Sequence, residues 1–158
     1  MKIDIDLTRQ RLRLLDGGRL LKEYAVSTGA NGPGEIQGSG CTPRGRHVVR
    51  AKIGAGKPAN AVFVGRRHTG EFWTPEGHQR QPKRDWMLTR ILWLSGREPG
   101  RNRLGCVDTF RRYIYLHGTP PVTELGKPGS HGCVRMRNED VIELFDLVPA
   151  GTEVEIHE

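Results

Sequence analysis

No stretch of this sequence approaches the 18 consecutive apolar residues of a membrane-spanning helix, and the absence excludes a helical bilayer span. The opening, MKIDIDLTRQRL, likewise lacks the apolar core of a secretory leader. The chain as written is therefore expected to be cytoplasmic and without a membrane anchor, or periplasmic if a leader has been removed. Cysteine is scarce: three residues at 41, 106 and 133, an odd number widely spaced, cannot form a disulfide framework and suit a reducing compartment. Taken singly, Cys41 and Cys106 read as small buried hydrophobes. Acidic residues are outnumbered, 18 against 25 Lys and Arg for a net charge of +7. The basic residues are scattered, however, and no nucleic-acid motif accompanies them. A solvated surface with a local patch for a carboxylate-bearing substrate is expected, not a nucleic-acid partner.

Glycine and proline are plentiful, at 21 and 10. With apolar residues at only 35%, they indicate a turn-rich, mainly β protein, and 158 residues suit one domain, 1–158. Ile3, Ile5 and Leu7 alternate with charged residues, and Leu12 and Leu14 continue the period-2 pattern of a half-buried strand. Asp16-Gly17-Gly18 tolerates positive φ, so residues 20–26 return as the second arm of a hairpin. Residues 28–45 are too dense in Gly and Pro for a regular element. Short strands are expected at 47–53, 61–64, 91–94 and 113–116. Residues 66–90, polar and containing Trp73 and Trp86, are expected to be a long loop, either a binding wall or an insertion packed by its own aromatics. Near the C-terminus, Asn138 is the expected helix cap, Val141, Ile142, Leu144, Phe145 and Val148 form one apolar stripe, and Pro149 stops the helix. Thr152, Val154 and Ile156 alternate as a closing strand.

The informative segment is YIYLHGTPPVTELGKPGSHGCVRMR, residues 113–137. His117 ends a β-type run and Ser130-His131-Gly132-Cys133 precedes the helix, so a strand-end imidazole and a loop thiol can meet without distorting either element. Beside an imidazole, and aimed at amide donors, the thiol is expected to exist largely as thiolate. Cys133 would be the nucleophile and His117 its base. Gly132 leaves room for a carbonyl, and the amides of Gly132 and Cys133 would serve as oxyanion donors, with Ser130 and His131 as walls. Other readings stand beside this one: satisfied structural histidines, or a zinc site from His117, His131 and Cys133, although the spacing lacks the paired CxxC of closed sites.

Ser130-His131-Gly132-Cys133-Val134-Arg135, with His117-Gly118 upstream, resembles the signature of the L,D-transpeptidase (YkuD) catalytic domain. IDIDLTRQRLRLLDGGRLLKEYAVSTGANG resembles that family's opening hairpin and the Ser-Thr-Gly stretch after it, and RRYIYLHGTP its strand into the histidine, so the likeness covers nearly the whole chain. The resemblance implies a mainly antiparallel β-sandwich with one or two short helices, one of them after the cysteine, and no cofactor or metal. It also implies attack on the bond between the L-centre of meso-diaminopimelate and the terminal D-alanine in peptidoglycan tetrapeptide stems. By motif position Cys133 is acylated, His117 is the base, and the Gly118 carbonyl orients the imidazole. Arg135 would bind substrate or support its loop, and Trp73 and Trp86 would narrow the groove. Hydrolysis of the acyl group, an L,D-carboxypeptidase activity used in wall recycling, is the expected outcome. Transpeptidation to an amine is the alternative, and a non-catalytic stem-binding module a distant one.

Overall fold

A computed structural model describes residues 1–158. Ten strands and two α-helices follow in the order β1 (Lys2–Asp6), β2 (Arg11–Asp16), β3 (Arg19–Ser27), β4 (Gly45–Ile53), β5 (Ala61–Val64), β6 (Arg67–Phe72), α1 (Pro75–Arg80), β7 (Met87–Gly96), β8 (Tyr115–Gly118), β9 (Val134–Met136), α2 (Asn138–Leu147) and β10 (Glu153–His157). The mainly β class and the helix after Cys133 agree with expectation. The two-layer sandwich needs correcting. All strands belong to one sheet in the order β4-β10-β1-β2-β3-β9-β8-β7-β5-β6, and β4 also pairs with β7, so eight of them close into a ring. Pairing is antiparallel except for β1 with β10 and β8 with β9.

The first hairpin forms where Gly17 and Gly18, both at positive φ, turn β2 into β3. The strand expected to run unbroken into Leu14 is instead folded back between Leu7 and Gln10. The Asp6 carboxylate accepts from the amides of Thr8 and Arg9, and Gln10 takes φ 55°, which reverses the chain without disturbing the apolar alternation. Residues 66–90 also differ from expectation. They contain β6 and α1, whose first turn is capped by the Thr74 hydroxyl accepting from the Gly77 amide, with Pro75 in its favoured first position.

Inward side chains of the ring, including Ile3, Ile5, Leu12, Leu14, Leu92, Leu94, Leu116, Val134 and Met136, make the main core with Val141, Leu144 and Phe145 of α2. Asn138 does not cap α2. The cap position is Arg137, whose carbonyl accepts from the amides of Asp140 and Val141, while Asn138 is buried and turned into the protein.

A second buried imidazole braces β4. His47 Nδ1 faces the Gly45 carbonyl at 3.0 Å and Nε2 the Thr109 hydroxyl at 2.9 Å, and burial drives its pKa down to about 4. The neutral form is the folded form. Its stabilisation is complete above the unfolded value near 6.5 and is lost as pH falls from there toward 4, a change on the order of 3 kcal/mol. Thermal denaturation followed from pH 7 to 4.5 should therefore show a slope in this window that flattens in His47→Gln.

Candidate active site

The parallel pair β8–β9 sets Leu116 beside Val134, His117 beside Arg135 and Gly118 beside Met136. Because side chains alternate, Leu116, Val134 and Met136 fill the ring, while Tyr115, His117, Cys133 and Arg135 share its outer face. His117 and Cys133 are thus offset by two residues on one face, about 7 Å along the strand direction.

His117 is fully buried. Its Nδ1 lies 2.6 Å from the Gly118 carbonyl, which fixes Nδ1 as the donor and leaves the Nε2 lone pair bare. Nε2 has no hydrogen-bond partner in the chain. Burial pushes the imidazole below its ordinary pKa, against the opposing charge of Asp85.

Cys133 departs from the expected thiolate. Its Sγ accepts from the Tyr115 amide and donates to the Tyr113 carbonyl, both at 3.3 Å, and it packs against Ala61, Phe63, Ile91 and Tyr115. Burial raises the thiol to about 12 in spite of the Tyr115 amide. At neutral pH the pair is therefore a neutral thiol beside a neutral imidazole.

The loop carrying Cys133 is clamped by residues 28–44. Ala30 donates its amide to the Ser130 carbonyl, and Gly129 and Ser130 donate theirs to Thr28. The Thr42 hydroxyl donates to the Gly132 carbonyl and accepts from the Gly29 amide, each at 2.8 Å. Arg112 ties down the same loop through the carbonyls of Cys41 and Gly34. Gly132 sits at φ 124°, and a Cβ there would stand 3.0 Å from the Cys41 carbonyl. Ser130 is internal to the loop, its Oγ donating to the Cys133 carbonyl at 2.5 Å and accepting from the Gly132 amide at 3.1 Å. The Gly132 amide is thereby committed and is not the oxyanion donor expected. The Cys133 amide makes no hydrogen bond within the chain and remains available.

The flanking residues divide. Arg135 donates to the Gly129 carbonyl and to Asp85, which matches the loop-supporting alternative. His131 is 75% exposed at the mouth, its Nδ1 3.5 Å from Asp85. Trp73 and Trp86 do not present open faces. Both are buried with Val62 and Leu88, and Trp73 Nε1 donates to His78. Trp86 still borders a pocket of about 160 Å³ together with His78, Pro82, Arg84, Thr119, Pro120, Thr123 and Arg135. Cys41 is half-buried and Cys106 exposed, so neither is the core residue expected. His117, His131 and Cys133 do not converge on a common point as metal ligands would.

Two contributors had no sequence signal. Asp85, in the segment between α1 and β7, becomes a neighbour of the site through its contacts with Arg135 and His131. Thr89, at φ 75° in a bulge opposite Gly118, donates its hydroxyl to Asn138 Oδ1 at 2.8 Å and accepts from the Asn60 amide. A β-branched residue in that conformation is strained, and these bonds hold it there.

The profile of the L,D-transpeptidase catalytic domain, YkuD, matches residues 1–156. The chain belongs to this family. The YkuD domain is 46% identical over 156 residues to a Bacillus licheniformis protein whose name, L,D-transpeptidase YkuD, is itself provisional. That match covers 98% of this chain and 64% of the other. A Salmonella typhimurium protein, likewise provisionally named L,D-transpeptidase ErfK/SrfK, is 32% identical over 123 residues, covering 72% of this chain and 39% of its own. The YkuD domain thus spans between about two fifths and two thirds of the length of these relatives. Among solved structures it resembles L,D-transpeptidase 3 from Mycobacterium tuberculosis bearing a faropenem-derived adduct. The TM-score is 0.58 at 14% identity, over 99% of this chain and 59% of that one, which is a likeness of fold. No helix of the YkuD domain is long and apolar enough to cross a membrane.

Proposed function

We propose that the domain cleaves the L-centre–D-alanine bond of peptidoglycan tetrapeptide stems of the meso-diaminopimelate type through a thioester on Cys133, and that water completes the cycle. The observation that carries the reading is the bare, buried Nε2 of His117, held by the Gly118 carbonyl on the face that bears Cys133. In this scheme Cys133 Sγ attacks the carbonyl carbon as its proton passes to Nε2, and the Cys133 amide faces the developing oxyanion. The C–N bond then breaks, the imidazolium returns its proton to the departing D-alanine nitrogen, and a thioester remains. Water attacks next, again losing its proton to His117, and collapse frees the tripeptide and restores the thiol.

A pocket of about 160 Å³ lies beside Arg135, walled by Trp86, Pro82 and Arg84. Arg84 and Arg135 at its rim suit the carboxylates of one stem. The test is mass spectrometry of the tetrapeptide with and without a D-amino-acid acceptor. Tripeptide and free D-alanine, at yields changed less than about twofold by the acceptor, are expected. Exchanged or cross-linked product with little tripeptide would make the domain a transpeptidase, the activity its relatives are named for.

A further inference from the structure

An imidazolium forms on His117 twice in each cycle of the proposed reaction, at a buried position. A buried cation of this kind is costly unless a fixed negative charge faces it. The Gly118 carbonyl supplies a dipole and no net charge. On the remaining sides, β7 sets Ile91 opposite His117, and β9 sets Arg135, a second cation, beside it. Cys133, a neutral thiol, lies on the same face two residues along. The anion is Asp85. Its Oδ1 lies 3.3 Å from Arg135 Nη2 and its Oδ2 3.5 Å from His131 Nδ1, and its side chain is 29% exposed. Arg135, the β9 neighbour of His117, holds Asp85 at this face of the sheet, and the carboxylate charge opposes the effect of burial on the imidazole.

We propose that Asp85 is a positioning residue for catalysis, the counter-charge to the His117 imidazolium. It holds Arg135 and His131 at the rim by the same two oxygens. The inference rests on the acyl-transfer reading above and adds a residue outside the His117–Cys133 motif. Arg135 prevents the carboxylate from being neutralised at rest. Burial works to raise the Asp85 carboxyl, but the Arg135 guanidinium beside it keeps it below the ordinary carboxylate range. The charge is therefore in place before the proton arrives, which is the preorganisation that makes a counter-ion effective.

The experiment compares native protein with Asp85→Asn, which keeps the shape and removes the charge, and Asp85→Glu, which restores it. The second-order rate of Cys133 acylation by a carbapenem, read by mass, should fall about 10- to 100-fold in Asp85→Asn. It should recover at least partly in Asp85→Glu. Because the charge raises the affinity of His117 for protons, the acid limb of the rate profile should move to lower pH in Asp85→Asn. The imidazole C2–H resonance of His117 should titrate at lower pH in the same variant. In a His117→Ala background, Asp85→Asn should change the residual rate less than about twofold. Native rate and profile in Asp85→Asn would overturn the proposal. So would a loss that leaves the His117 titration unmoved or persists undiminished without His117, since both would mark Asp85 as structural. If native protein forms no adduct with either carbapenem or tetrapeptide, the acyl-transfer reading fails and this inference falls with it.

Discussion

Cys133→Ala is expected to abolish release of D-alanine and to remove the mass adduct formed with a carbapenem, while the melting curve barely moves. Only one sulfur is deleted from a side chain that touches Tyr113, Tyr115, Phe63 and Ile91, a loss of about 1 kcal/mol. The chemistry loses everything, because neither other thiol shares the outer face of β8 and β9 with His117: Cys106 is exposed in the turn at 105–107, and Cys41 points its Sγ at the carbonyls of Asn31 and Ser39. Intact protein mass after incubation with the carbapenem, beside a thermal scan, reads both quantities. A variant that keeps an adduct would reject Cys133 as nucleophile, and one that unfolds would make it a structural residue.

Gly118→Ala is expected to damage folding and catalysis together. A Cβ at this position collides with Asn138 Oδ1, lies 2.6 Å from the Leu88 carbonyl and 3.0 Å from Thr89 Cβ. The obstacle includes backbone of β7, which cannot rotate away, so β8 must shift or the Thr89 bulge must open. The cost is on the order of 3 kcal/mol, or a Tm lower by roughly 6–12 °C for a chain of this size. The same shift moves the carbonyl that holds His117 Nδ1, so the acylation rate of the folded fraction should drop by at least about tenfold. A native melting temperature with native acylation would show the contact to be harmless. Differential scanning calorimetry and adduct kinetics on the same preparation decide it.

The strands were legible because their alternation is strong, and the His117 and Cys133 pair because the motif is specific. The Leu7–Gln10 turn was hidden by Leu7 itself, which is buried like Ile5 and keeps the period-2 pattern running through a reversal set by the Asp6 carboxylate. Helix α1 did leave a trace, Thr74 followed by Pro75, but six residues give too short a period to stand out among turn-formers. The protonation of Cys133 had no trace at all. It depends on how deeply Phe63 and Ile91, from other strands, cover the sulfur, and a motif does not report its own burial. Closure of the sheet was missed for a similar reason: β4 and β7 are joined through the register of His47 with Gly96 to Ile53 with Ile91, a long-range pairing that local alternation cannot reveal.

The first and last strands are neighbours, Ile3 beside Val154 and Ile5 beside Ile156. During synthesis every residue of the His117 and Cys133 site has been added before β10 exists to complete the ring. A nascent domain therefore carries its reactive thiol for a time without the finished wall behind it, and the last contact to form spans nearly the whole chain, the kind of closure that makes folding slow. β10 pairs with β1 and β4 and not with the strands that cover the sulfur, so the ring is closed from the side opposite the chemistry.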